Sequence, residues 1–296
     1  MPGRERKHRR KYFVGEAEPG DGPFSAGKRH ALTEHGARGL EERVRKRISL
    51  EILAADSNFR YCERRFEAAL LARPRGLRGL VYDKKLAALH GKVLKGKLLH
   101  WETILTCMRT MPNFMPPKLN VLLNVQDQVV MQHGPLGRGI ERRFLALLAR
   151  KRFSAEAGLL LDSLKHDTGF HMQLRYRRDR KDKLNKLIDE AHLTARNILI
   201  DFRKAGKFSP VQVRNYLGSI VKVLDMQHTL AKAYVEIFSI MGKRARSLGL
   251  GIGFRKRLYE LQGDVNLVSG SVAGELAFWR LQYKLEGYKI AGKTHG

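Results

Sequence analysis

Apolar residues recur along most of this chain every three or four positions, the period of one face of an α-helix. Leu40, Val44, Ile48 and Ile52 open the pattern at i+4 spacing, with cations on the remaining faces. Asp56 or Ser57 reads as the cap of a second helix, whose stripe is Phe59, Cys62, Phe66 and Leu70 and whose end is Pro74. Asp83 opens a third segment with Leu86, Leu89 and Val93; a fourth carries Leu98, Trp101, Leu105 and Met108 and stops before Pro112. Pro116 and Pro117 start a strongly apolar helix from Leu119 to Met131, with Gly134 placed as its C-terminal stop. Shorter helices are expected around Ile140–Leu148 and Ala155–Leu164.

The second half holds the longest periodic runs. Phe170 to Phe202 predicts one long helix, or two nearly collinear ones, striped by Leu184, Leu187, Ile188, Ala191, Ala195, Ile198 and Phe202 and ended by Gly206. Ser209-Pro210-Val211-Gln212 then combines three start signals: a capping Ser, Pro at the first helical position, and Gln three residues after the cap. The stripe that follows runs through Val213, Leu217, Ile220 and Leu224 and continues past His228 toward Met241. Gly242, Gly249, Gly251 and Gly253 interrupt it, and a last helix is expected from about Ser271 to Leu285. No segment alternates with period two, and no period of roughly 33–47 residues brings the same residue types back into register. The expected fold is all-α, an irregular helical bundle or helical-hairpin array. It divides into an extended basic arm over 1–39 and helical regions over 40–165 and 166–296, which form one continuous domain if they pack together.

The arm is set apart by composition. Residues 1–39 hold seven glycines and three prolines and have almost no apolar periodicity, so they have no core of their own to bury. Within them Arg4, Arg6, Lys7, Arg9, Arg10 and Lys11 form the densest cationic run of the chain. Such runs serve as nucleic-acid arms or localisation signals, or are simply solvated. Glu5, Glu16, Glu18 and Asp21 depart from the acid-poor pattern of a mitochondrial presequence.

Charge changes the picture most. Fifty-seven Lys and Arg face 29 Asp and Glu, a formal +28 in 296 residues, and each successive stretch of fifty residues is net positive. An excess spread through the periodic part opposes compaction unless a polyanion neutralises it. That points to a body in contact with nucleic acid on several sides. Three interior groups are the candidate contacts: Arg43, Arg45, Lys46 and Arg47; Arg175, Arg177, Arg178, Arg180, Lys181 and Lys183; and Arg255, Lys256 and Arg257. The second group sits on the long helix with its cations around most of the circumference, so that end is expected to protrude from the body. Asp179 and Asp182 equally allow an exposed, salt-bridged helix. Arg outnumbers Lys by 33 to 24, which suits planar, bidentate phosphate recognition and stacking on RNA bases.

Other chemistries find little footing. Gly249-Leu250-Gly251-Ile252-Gly253 lacks the spacing of a dinucleotide fingerprint and the Lys-Ser/Thr of a P-loop; it reads as a connector whose amides are free to approach a phosphate. His166 and His171 are one residue too far apart to share a helical face, and neither Cys62 nor Cys107 has a partner at ligand spacing. No nucleophile, base and orienting group fall together, so neither catalysis nor a cofactor or metal is expected. Trp101 and Trp279 lie in apolar stripes and read as core. Two cysteines form no disulfide framework, and the longest apolar runs fall far short of a membrane span. The expectation is a structural RNA-binding component of a ribonucleoprotein with neighbouring proteins around it, a ribosome first and a mitochondrial one by preference. An RNA-processing or assembly factor, nucleolar or mitochondrial, is the alternative, and a DNA-binding protein or an enzyme a more distant one; the mitochondrial matrix is the expected location, with the nucleolus or cytoplasm the alternative.

Overall fold

The computed structural model describes residues 26–72, 78–111, 113 and 142–293. Among them the regular elements are all helical: α1 (Ala26–Leu71), α2 (Arg78–Thr110), helical turns at 142–148, a 3-10 turn (Lys151–Phe153), α3 (Ser154–Leu164), α4 (Thr168–Ala205), α5 (Pro210–Ser247) and α6 (Ile252–Lys293). The all-α expectation holds. The apolar helix from Leu119 to Met131, the stops at Pro74 and Gly134 and the first 25 residues of the arm lie outside the described residues.

The chain forms two units, Met1–Lys46 and Arg47–Gly296. The described part of the first is the opening of α1, where Arg45 pairs with Glu41 at 2.6 Å. Helix begins at Ala26 rather than near Leu40. Residues 26–38 carry Ala, Lys, Arg, Leu and Glu at most positions, and these favour helix without needing a stripe.

In the second unit α4, α5 and α6 run up, down and up. Asp201 meets Gln212 and Arg180 meets Met226 across the first pair; Gly218 and Tyr283, then Arg246 and Tyr259, meet across the second. The capping signals operate as read. Gln212 Oε1 accepts from the Ser209 N–H at 3.1 Å, closing the capping box at the start of α5, and Gln212 Nε2 reaches Asp201 on α4 at 2.6 Å. Gly206 ends α4 in the left-handed region at φ 66°, and Phe202 stacks on Phe208 across the turn at 4.3 Å. Asp167 caps α4 by accepting from the Phe170 N–H at 2.9 Å; that bond and the Arg244 guanidinium hold its carboxyl below the usual range. The apolar seam includes Ala191, Leu217, Val223, Met241, Phe254 and Val272, all fully buried. Burial at this level stabilises by about 1.5–3 kcal/mol for each large side chain.

Three expected boundaries move. Asp56 and Ser57 cap nothing, because α1 runs through them and Asp56 pairs instead with Arg60 at 3.6 Å along the helix. A capping residue acts only where the backbone leaves helical φ/ψ, and the Ala54-Ala55 pair before it continues the helix. The third and fourth expected segments are one helix, α2, with Gly91 and Gly96 inside it. Gly96 is where α1 and α2 cross, since a Cβ there would lie 3.3 Å from Phe59 Cα. Finally α6 starts at Ile252, not near Ser271. Gly249, at φ 63°, closes α5 with the Leu250 N–H bonded to Ala245 O and the Gly249 N–H to Arg246 O, both at 3.1 Å, a Schellman turn. The chain re-enters helix three residues later.

The expected helix from Ser271 is thus the second part of α6, and α6 carries a second buried face that is polar. Asp264, Ser271, Glu275, Gln282 and Glu286 recur at 7, 4, 7 and 4 residues and are all buried. All but Ser271 meet cations from elements far away in sequence. Lys97 of α2 reaches Glu275 at 3.0 Å, Arg109 of α2 binds Glu286 and also Gln282 at 2.8 Å, and Arg143 binds Asp264. Lys97 and Arg109 follow the same direction as Glu275 and Glu286, so α2 and α6 are parallel. Trp279 N–H donates to Glu275 Oε1 at 3.3 Å, and Trp101 meets Trp279 edge-on at 4.9 Å, which places both tryptophans in the core as expected. Burial pulls the Lys97 pKa below its usual value, against the attraction of Glu275.

Candidate nucleic-acid interface

The cationic stretch of α4 divides by face. Arg175, Arg178, Lys181 and Lys183 are exposed, whereas Arg177 and Arg180 are half-buried against α5. Arg177 lies over the Tyr234 ring at 5.6 Å and rims an apolar cleft of about 250 Å³ with Phe170 and Phe238. Arg180 lies 4.3 Å over Tyr176, hydrogen-bonds its hydroxyl, and reaches Met226 Sδ at 3.9 Å. The expectation of a protruding end with cations all round is therefore corrected. The inward positions 177 and 180, in the two turns before the buried Leu184, carry Arg instead of an apolar residue, and their stems cover apolar surface while the heads stay near water.

Arg43, Arg45 and Lys46 lie in the first unit and Arg47 opens the second, all on α1. Arg43, Lys46 and Arg47 are exposed and Arg45 half-buried; Arg47 pairs with Glu51 at 3.1 Å with 82% of its side chain in solvent. A pair that exposed contributes little stability and leaves the guanidinium accessible to a stronger anion. Arg4, Arg6, Lys7, Arg9, Arg10 and Lys11 lie outside the described residues.

The third group is where the structure adds most. Arg255, Lys256 and Arg257 sit on the first turns of α6, all half-buried. Against this turn comes the 3-10 corner, with Phe153 packed edge-on to Phe254 at 5.6 Å and Arg152 over the Phe153 ring at 4.3 Å. A Cβ on Gly253 would lie 3.9 Å from the Arg152 guanidinium. The helical turns at 142–148 bring Arg143 to the same place, where Arg143, Arg150, Arg257 and Glu260 line a cleft of about 130 Å³. Arg257 pairs with Glu260 at 2.6 Å, and Arg255 Nε is buried with no hydrogen-bond partner among the described residues. Sequence reading found Arg255–Arg257 but not Arg143, Arg150 or Arg152, because only the fold joins two cationic runs about a hundred residues apart.

Other chemistry is sparse. Among the described residues no group of three or more His, Cys, Asp or Glu side chains could hold a metal ion, and no helix is long and apolar enough to cross a membrane. Cys107 is buried, and burial pushes its thiol up to about 11. The Tyr216 hydroxyl is raised above its usual range by the same cause. No family model, curated protein or solved structure matches the chain.

Proposed function

We propose that this chain is a structural RNA-binding component of a large ribonucleoprotein, in the first instance a ribosome and preferentially a mitochondrial one. The observation that carries the reading is a chain of +28 in total whose charge excess is spread through the helical part as well as the arm, each successive stretch of fifty residues being net positive. The exposed cations of α4, those of α1 and the arginines around the start of α6 supply contacts on several elements. Such contacts meet phosphate and sugar and fix position without reading base sequence. Arm, body and neighbouring proteins would share the work, the apolar positions left exposed on the helices serving the protein neighbours.

Two measurements test this. The purified protein should bind RNA with an affinity that falls on the order of 10³–10⁵-fold between 50 and 200 mM salt if roughly 6–10 phosphates are contacted. Salt-indifferent binding would remove the electrostatic basis. In cells, ultraviolet crosslinking should recover ribosomal RNA, and the protein should sediment with mature subunits from the mitochondrial fraction. Sedimentation with precursors alone would identify an assembly factor instead.

A further inference from the structure

The cleft at the start of α6 has a composition that the general basic character of the chain does not explain. Three guanidiniums, from Arg143, Arg150 and Arg257, converge on about 130 Å³ from two helical segments and the corner between them. That space is large enough to admit a phosphate group. The cleft has one carboxylate in its lining, Glu260, while Asp264 lies one turn further along α6 and is itself buried. Three positive charges against two negative ones leave the cleft cationic.

The arginines are held in place without being used up. Arg143 binds Asp264 yet keeps 39% of its side chain in solvent, and Arg257 binds Glu260 with 34% exposed. A guanidinium has five N–H donors in a rigid fork, and one carboxylate occupies at most two of them. Arg150 is anchored through its backbone, where its carbonyl accepts from the Phe153 N–H at 2.8 Å and its N–H donates to Leu147 O at 3.4 Å. Its side chain stays exposed. Two held side chains with spare, solvent-facing donors, joined by a third on an ordered backbone, reduce the ordering cost of binding a phosphate.

We infer that Arg143, Arg150 and Arg257 form a clamp for one RNA phosphodiester, with Glu260 holding Arg257 in position until the phosphate takes its place. The inference rests on the RNA-binding reading above and adds a specific site to it. Glu260 competes with the phosphate for Arg257, so its removal strengthens binding.

The test uses the full chain and a fluorescently labelled single-stranded RNA, titrated across a salt series. Arg143 is left untouched, because its loss would remove a salt bridge from the buried Asp264 carboxylate. The variant R150Q/R257Q should bind about tenfold more weakly at low salt. The slope of log affinity against log salt should become shallower by roughly 0.7, one single-strand phosphate. E260Q should bind more tightly than wild type and more tightly than E236Q, which removes an equal charge from an exposed position on α5. Inorganic phosphate, titrated with phosphorus NMR detection, distinguishes the sources. Competition for the RNA only at concentrations far above those of the RNA's own phosphates fits a phosphodiester site, and stoichiometric displacement by free phosphate overturns it. R196Q/R203Q removes two charges from exposed positions of α4 as the control; if R150Q/R257Q matches it in affinity and keeps the wild-type slope, the clamp is wrong and the broader reading stands. If the wild-type protein shows no salt-dependent RNA affinity, the broader reading fails and the clamp with it.

Discussion

Replacing Lys97 with Met is the sharpest probe of how α2 is held. Lys97 and Glu275 are 3% and 1% exposed, with Nζ and Oε1 3.0 Å apart. Met keeps the length and volume of the stem, so no large cavity opens. What remains is a carboxylate inside the protein whose one other hydrogen bond shown is the Trp279 N–H at 3.3 Å. Breaking a buried pair from one side costs about 3–5 kcal/mol, because the surviving charge has lost its solvent and its partner. With an m-value of about 3 kcal/mol/M, the urea midpoint should drop by roughly 1–2 M. The two tryptophans of the chain lie edge to edge beside the pair, so intrinsic fluorescence reports this seam directly. In K97M/E275M the stranded charge is gone and the main deficit is the Trp279 acceptor, worth about 1 kcal/mol. The double variant should therefore be more stable than the single one. A K97M protein within 1 kcal/mol of wild type, or a double variant as unstable as the summed singles, would show that the pair is solvated and that the seam is not what secures α2.

Reversing the exposed α4 cations in R175E/R178E/K183E should weaken RNA binding at unchanged melting temperature. R177E/R180E should also cost about 1–2 kcal/mol in thermal melts, since these side chains cover Tyr234 and Met226. A native thiol titration at neutral pH should label Cys62, which is half-buried, and leave Cys107 unreacted until denaturant is added. His100 is lowered below 6.5 by burial, against the nearby Asp56. Below pH 6.5 the unfolded chain then binds more protons than the folded one, and stability should fall with pH by up to ~1.4 kcal/mol per unit. In H100Q that slope, measured by urea unfolding, should be shallower, with His228 supplying what remains in the same direction.

What the sequence disclosed follows from where each signal's partner lies. The turn between α4 and α5 was legible because Phe202, Gly206, Ser209 and Gln212 act on residues a few positions away. The part of α6 before Ser271 was illegible because Gly253, Gly263 and Gly270 interrupt its pattern and Asp264 looks like an exposed position until Arg143 is brought to it. Fusion of the helices in α1 and in α2 went unseen for the opposite reason. Asp56 carries a cap's residue type, but no break in backbone geometry accompanies it. The clamp residues divide the same way: Arg257 stands in an obvious run, while Arg143 and Arg150 gain meaning only beside it.

The parallel pairing of α2 with α6 also sets a timetable. Lys97 and Glu275 are separated by 178 positions, and a parallel pair has no short hairpin to bring it together. During synthesis α2 leaves the ribosome long before its partner exists, with Lys97, Trp101 and Arg109 prepared for a surface not yet made. The α4–α5 hairpin has every contact at hand as soon as its second strand of helix emerges. Loop closure over so long a span delays the final docking, and slow non-local contacts leave a chain open to aggregation meanwhile. The last forty residues thus decide whether α2 is put away. A truncation that removes α6 should leave α2 without a home and expose it to chaperones and proteases.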